Sequence, residues 1–206
     1  LENILNADFL ADYKERTIGR PKAYKGTTHI SVTDASGNVA ALSVSNGEGS
    51  AYIVPGTGIM INNMLGEEDI NPHGLNNWPL DMRMSSMMSP SLVFGKGGEL
   101  IALGSGGSNR IRTAILQVII NLINFGMPLS KAIESTRMHY DSELLSVESG
   151  FDRTKFETVD QLVSEVKFWS QKNLFFGGVH GVQIDTKKGV FVGAGDPRRG
   201  GISLSI

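Results

Sequence analysis

Three stretches of this chain carry groups suited to chemistry. Gly26-Thr27-Thr28-His29-Ile30-Ser31-Val32 puts two hydroxyls at the head of an alternating run, directly after a glycine with no side chain to hinder attack on its carbonyl. A threonine hydroxyl is a poor nucleophile near neutral pH and needs a base within hydrogen-bond reach. Gly104-Ser105-Gly106-Gly107-Ser108 lies between an expected strand and an expected helix, where backbone N–H groups and the helix dipole favour negative charge. It fits neither a dinucleotide nor a P-loop pattern, because Asn109 stands where a third glycine would be and no Gly-Lys-Thr follows. The third stretch, Met84-Ser85-Ser86-Met87-Met88-Ser89-Pro90, follows an acidic run, Glu67-Glu68-Asp69. On residue type alone, a Thr-Thr pair suits a pleated strand and a Ser-Ser pair suits a turn.

The elements that must position these groups are legible from periodicity. Thr28, Ile30 and Val32 alternate with Thr27, His29 and Ser31; Asp34-Ala35-Ser36-Gly37-Asn38 has turn chemistry, and Val39 to Val44 returns as a strand. This hairpin brings Ser45 and Asn46 back beside Thr27. A third strand is expected at Gly58–Ile61, and a second hairpin from Ser91–Phe94 and Leu100–Leu103 delivers the chain into the glycine-rich turn. Ile111, Ile115, Val118, Ile119 and Leu122 then form one face of a helix that Gly126 stops, and Ser130 caps a shorter helix through Thr136. Leu144–Val147 reads as a strand, Lys155–Val166 as a helix, and Val179–Ile184 with Val190–Val192 as a closing hairpin. Upstream, Leu1, Ile4, Leu5, Phe9, Leu10 and Tyr13 make an amphipathic helix over residues 1–16, followed by an exposed linker to Gly26. Two sheets with helices outside are the natural packing of these elements.

Composition narrows the function classes. At 206 residues and 40% apolar, the chain suits one domain with a sizeable core. A net charge of −2 with interspersed signs argues against a nucleic-acid partner. No apolar run reaches the roughly 18 residues of a membrane span, and the first residues lack a leader pattern. Absence of cysteine excludes thiolate catalysis and disulfides. His29, His73, His139 and His180 lack metal-ligand spacing, so no metal and no cofactor are expected.

Taken in order, Thr27-Thr28-His29, Asn62-Asn63, Ser85-Ser86 before Ser89-Pro90, and Gly104-Ser105-Gly106-Gly107-Ser108 resemble the small catalytic subunit of the γ-glutamyltranspeptidase family, a branch of the N-terminal nucleophile hydrolases. The likeness covers about residues 27 to 199. It implies an α+β, four-layer αββα sandwich with mostly antiparallel sheets. It also implies self-cleavage between Gly26 and Thr27, with residues 1–26 as the tail of the large subunit and 27–206 as the catalytic domain. The freed α-amine of Thr27, with a pKa of roughly 7.7–8.0, then serves as the base.

The same resemblance assigns roles. Thr27 is the nucleophile, Ser45 its orienting hydroxyl, and the N–H groups of Gly106 and Gly107 the oxyanion hole. Asn46, or Gly47 in its place because the spacing is one residue shorter, holds the carboxylate side of the donor with Ser85 and Ser86. Glu67, Glu68 or Asp69 pairs with the donor's ammonium. Met64 stands where many relatives have a polar amide or acid, and the segment from Ile70 to Met84 lacks their long lid loop. Arg137, Asp196 and Arg198 resemble structural positions. The implied reaction is γ-glutamyl transfer from glutathione or a related amide to water or an amino acid. A β-lactam side-chain acylase is the enzyme alternative, and an uncleaved interaction domain the other. The expected partners are these small molecules and the large subunit, which in the family completes the carboxylate clamp with an arginine. A homo-oligomer is expected through surface the large subunit would otherwise cover; the residues leave the location open, the family resemblance implying a periplasmic or extracellular one and a cytoplasmic one being the alternative.

Overall fold

The computed structural model describes residues 26–206 apart from 68–69, 72–73, 75–76, 157–158, 160–161 and 186, so the helix expected over 1–16 and the linker to residue 25 lie outside the described residues. Strands β1 (Thr27–Thr33) and β2 (Val39–Ser45) form the expected hairpin, with Thr27 opposite Ser45 and Thr33 opposite Val39. Asp34 closes its turn by accepting hydrogen bonds from the Ser36 and Asn38 N–H groups, each at 2.9 Å.

A four-stranded antiparallel sheet runs in the order β3 (Ser91–Phe94), β4 (Glu99–Gly106), β8 (Gly178–Asp185) and β9 (Val190–Ala194). Helices α1 (Arg110–Ile123) and α2 (Leu129–Glu134) cover one face of it. Ile101, Leu103 and Val179 from the sheet meet Ile111, Ala114, Ile115, Val118, Leu129 and Ile133 from the helices in the main apolar core. The β1–β2 hairpin lies on the other face, against β4 and β8. A smaller sheet of β5 (Met138–Asp141), β6 (Leu144–Val147) and β7 (Glu165–Phe168) has its own core of Leu145, Val147 and Phe156; β6 and β7 pair in parallel. Helix, sheet, sheet is thus the layer order of the described residues.

Four local expectations are corrected. The described residues of Lys155–Val166 do not form an α-helix: a 3₁₀ turn spans Arg153–Phe156, and Glu165–Phe168 is β7, because an extended Val166 and Phe168 pack on Leu145, Val147 and Phe156. Gly58–Ile61 makes only an isolated bridge between Ile53 and Met60, since Gly56 and Gly58 take positive φ and break a regular ladder. Helix α2 starts at Leu129 after Pro128 with no side-chain cap, so Ser130 is inside it. Finally, Gly104–Gly106 belong to β4, and the turn proper begins only at Gly107.

Candidate active site

Thr27 opens β1 with its side chain toward the four-stranded sheet. Its Oγ1 lies 2.9 Å from Ser45 Oγ, as the hairpin register demands, and Ser45 Oγ also accepts the Gly47 N–H at 3.1 Å. The ladder continues one residue upstream: Gly26 N–H donates to Gly47 O at 2.8 Å, and Asn46 N–H donates to Gly26 O at 3.1 Å. The peptide bond ahead of Thr27 is therefore held between two strands, with its carbonyl already polarised by a backbone donor.

Opposite Thr27 the sheet presents glycine. A Cβ on Gly106 would fall 2.8 Å from Thr27 O and 3.5 Å from Thr27 Cβ, so the sheets can approach here only without a side chain. Gly107 (φ 141°) and Ser108 (φ 56°) then turn the chain sharply into α1. One step along the interface, His29 bonds Ser43 Oγ through Nδ1 and Ser31 Oγ through Nε2, each at 2.8 Å, with its ring over Gly104. Burial, and then the neighbouring His180, lower its pKa to about 4, so it is a neutral spacer at pH 7.

The pocket in front of Thr27 has a polar side of Ser45, Gly47, Glu67 and Ser108 and an apolar side of Met64, Met87, Met88 and Ile111. Of the expected binding residues, Glu67 lines it. Glu68 lies outside the described residues. Gly47, and not Asn46, reaches the pocket; Asn46 contributes the backbone bond to Gly26. Ser85 and Ser86 are exposed and outside the lining, Ser86 Oγ accepting the Met88 N–H at 3.2 Å. Met64 is singled out in the sequence, whereas Met87 and Met88 carry no signal as wall residues because the sequence offers no period there, only adjacency to the serines. Among the described residues no group of three or more His, Cys, Asp and Glu side chains could hold a metal, and no helix is long and apolar enough to cross a membrane.

Behind the glycine turn sits a buried ion network. Arg137 Nη2 donates to Asp196 Oδ2 at 2.7 Å, Arg198 Nη2 to Glu148 Oε2 at 2.6 Å, and Arg198 Nη1 to Asp196 Oδ1 at 3.2 Å, all four side chains nearly without solvent contact. Asp196 Oδ2 also accepts the Val179 N–H, and Arg198 bonds the carbonyls of Ile133 and Ser135. The network thereby ties β8, the end of α2 and the segment after β9 into one frame.

Facing sheets, a helix layer and a threonine at the head of the inner strand are the N-terminal nucleophile hydrolase fold. The γ-glutamyltranspeptidase from Pseudomonas nitroreducens complexed with L-DON superposes with a TM-score of 0.70 at 25% identity, over 87% of this chain and 99% of that one. The sequence model of the γ-glutamyltranspeptidase family matches residues 5–206, and the chain belongs to that family. A glutathione hydrolase proenzyme of Bacillus subtilis (strain 168) is 29% identical over 198 residues, 95% of this chain and 33% of that protein. An acylase ACY 1 proenzyme of Pseudomonas sp. (strain SE83) is 36% identical over 124 residues, 59% of this chain and 22% of that protein. The chain spans about a third of the length of the curated glutathione hydrolase relatives.

Proposed function

We propose that this chain carries the small catalytic subunit of a γ-glutamyl hydrolase and transferase that cuts itself between Gly26 and Thr27. Thr27 Oγ1 adds to the Gly26 carbonyl carbon while Asn46 N–H steadies the oxygen. The acyl group shifts from nitrogen to oxygen, and water cleaves the ester, leaving a Gly26 carboxylate and the free Thr27 amine. The same hydroxyl then attacks the γ-amide of a donor, its proton passing to the α-amine and on to the leaving amine. Gly106 and Gly107 N–H groups take the oxyanion. Glu67 receives the donor ammonium, and the Asn46–Gly47 turn, with Ser85 and Ser86, serves its carboxylate once the pocket is completed by the large subunit. Water or an amino acid resolves the ester.

The observation that carries this reading is the 2.9 Å contact between the hydroxyls of Thr27 and Ser45, at a peptide bond already gripped by the ladder. Thr27→Ala in the full precursor tests it: neither cleavage, read by intact mass, nor release from a γ-glutamyl anilide should remain. Cleavage persisting in that variant overturns the proposal. A second reading, an acylase for bulkier acyl groups, draws support from the three methionines in the pocket wall. It predicts a higher kcat/KM for an apolar acyl amide than for the γ-glutamyl anilide.

A further inference from the structure

Arg199 follows the buried ion network but leaves it. Asp196 and Arg198 are bonded to Arg137 and Glu148, so the 3₁₀ turn Pro197–Arg199 is clamped from behind and the next side chain turns toward the sheet interface. The Arg199 stem lies on Gly178, where a Cβ would fall 2.5 Å from its Cδ and 2.9 Å from its Cβ. The guanidinium extends to the glycine turn: a Cβ on Gly106 would lie 3.5 Å from Nη1, and the same point is 2.8 Å from Thr27 O. Arg199 Nε is buried with no hydrogen-bond partner among the described residues. Nor does the guanidinium line the pocket in front of Thr27. This cation therefore faces the nucleophile's backbone and not the substrate.

We propose that Arg199 is a positioning residue for Thr27, whose charge keeps the α-amine released by cleavage in its free-base form near neutral pH. The inference rests on reading Thr27 as a nucleophile with its own amine as base. An α-ammonium ordinarily loses its proton at a pKa of roughly 7.7–8.0, leaving most of it protonated at pH 7. A cation several ångströms away, in an environment between protein interior and water, lowers that value by about one pH unit. The amine can then accept the Thr27 hydroxyl proton as Oγ1 bonds to the acyl carbon.

The other charged groups around this point add to the effect, oppose it or are neutralised by their own partners. Arg110, at the start of α1, adds to it, and burial followed by Arg110 holds the Arg199 pKa below its ordinary value. Glu67, across the pocket, acts in the opposite sense. Asp196 is neutralised by Arg137 and Arg198. His29 on β1 and His180 on β8 are both pushed toward the neutral form, chiefly by burial.

The test uses the full precursor with Arg199→Met, which keeps much of the stem, and Arg199→Lys, which keeps the charge. Acetic anhydride labelling of the Thr27 amine across pH, read by mass spectrometry of the terminal peptide, gives its midpoint directly; the acid limb of kcat/KM for a γ-glutamyl anilide gives it through turnover. The methionine variant should raise both by about one pH unit, and the lysine variant should restore most of the shift. An unmoved midpoint in the methionine variant, or an equal rise in the lysine variant, overturns the assignment. If the methionine variant stays uncut, the same labelling is read on protein made with an initiator methionine directly before Thr27, removed in the cell, and with the rest of the precursor co-expressed. Labelling does not need turnover. A wild-type enzyme with a low midpoint but no γ-glutamyl transfer would refute the proposed activity and leave the role of Arg199 standing.

Discussion

The two faces of the sheet β3-β4-β8-β9 differ in kind. Toward the helices β4 turns Ile101 and Leu103, which join a close-packed aliphatic core; toward the hairpin it turns Ala102, Gly104 and Gly106, beneath Thr27, His29 and a series of serines. Alternation along one strand thus separates cohesion from chemistry. The helix side gains from every buried methylene. The hairpin side gives up that gain so that backbone and hydroxyls can meet at hydrogen-bond distance, with the sheets close enough for Gly106 to touch Thr27.

The two faces should respond most differently to a change at Thr27. Thr27→Ala should lower turnover at least about 10³-fold and stop self-cleavage, while the thermal midpoint, tied to the other face, stays near wild type. Next come paired substitutions on the two faces of β4. Gly106→Ala should cost about 10²–10³-fold in kcat through the displaced Thr27 and the proposed oxyanion donors, whereas Leu103→Ala should cost about 2–5 kcal/mol of stability with kcat little changed in the folded fraction. Equal stability losses from the two, measured by denaturant melts alongside kinetics, would refute the division.

A third substitution addresses the frame both faces share. Burial raises the Asp196 pKa, but Arg137 and Arg198 outweigh it and hold the carboxyl below its ordinary value. Its contribution is therefore present above the ordinary carboxylate range and is lost as pH falls through the depressed pKa. Asp196→Asn, which leaves Arg137 buried without its counter-charge, should cost about 3–5 kcal/mol at pH 7, with a smaller difference from wild type in strong acid. The smallest effect concerns His29. Its folded pKa of about 4 lies below the ordinary 6.5, so stability is full above pH 6.5 and declines as pH falls toward 4. His29→Gln should flatten that slope in a pH series of melts.

Some of this was legible in the sequence for clear physical reasons. The hairpin follows from period-two alternation around an Asp-Ala-Ser-Gly-Asn turn, and with it the pairing of Thr27 and Ser45. Helix α1 follows from its apolar spacing. The apolar residues over 155–166 suit either period, and Glu165–Phe168 becomes a strand because β6, separate from it in sequence, pairs with it on folding. β5 went unread for a similar reason: its partner β6 and the Thr113–His139 bond define it, not its own four residues. Within the site, Met87 and Met88 line the pocket where Ser85 and Ser86 do not, and the approach of Arg199 to Gly106 depends on a clamp that includes Arg137, distant in sequence.

Ile30, Val32, Leu42 and Val44 point away from the sandwich and are 52%, 53%, 56% and 56% exposed, while the serines and the histidine of the same strands point in. Such a hairpin is amphipathic in the reverse sense, and its own polar interior offers little to hold it flat. A layer laid over the four aliphatic side chains would add about 1 kcal/mol each in buried surface, and by mass action that free energy tightens the register of β1 on β2. Occupancy of the outside and alignment of the hydroxyls on the inside are then two readings of one equilibrium, so that the proposed self-cleavage would measure how completely the protein has been put together.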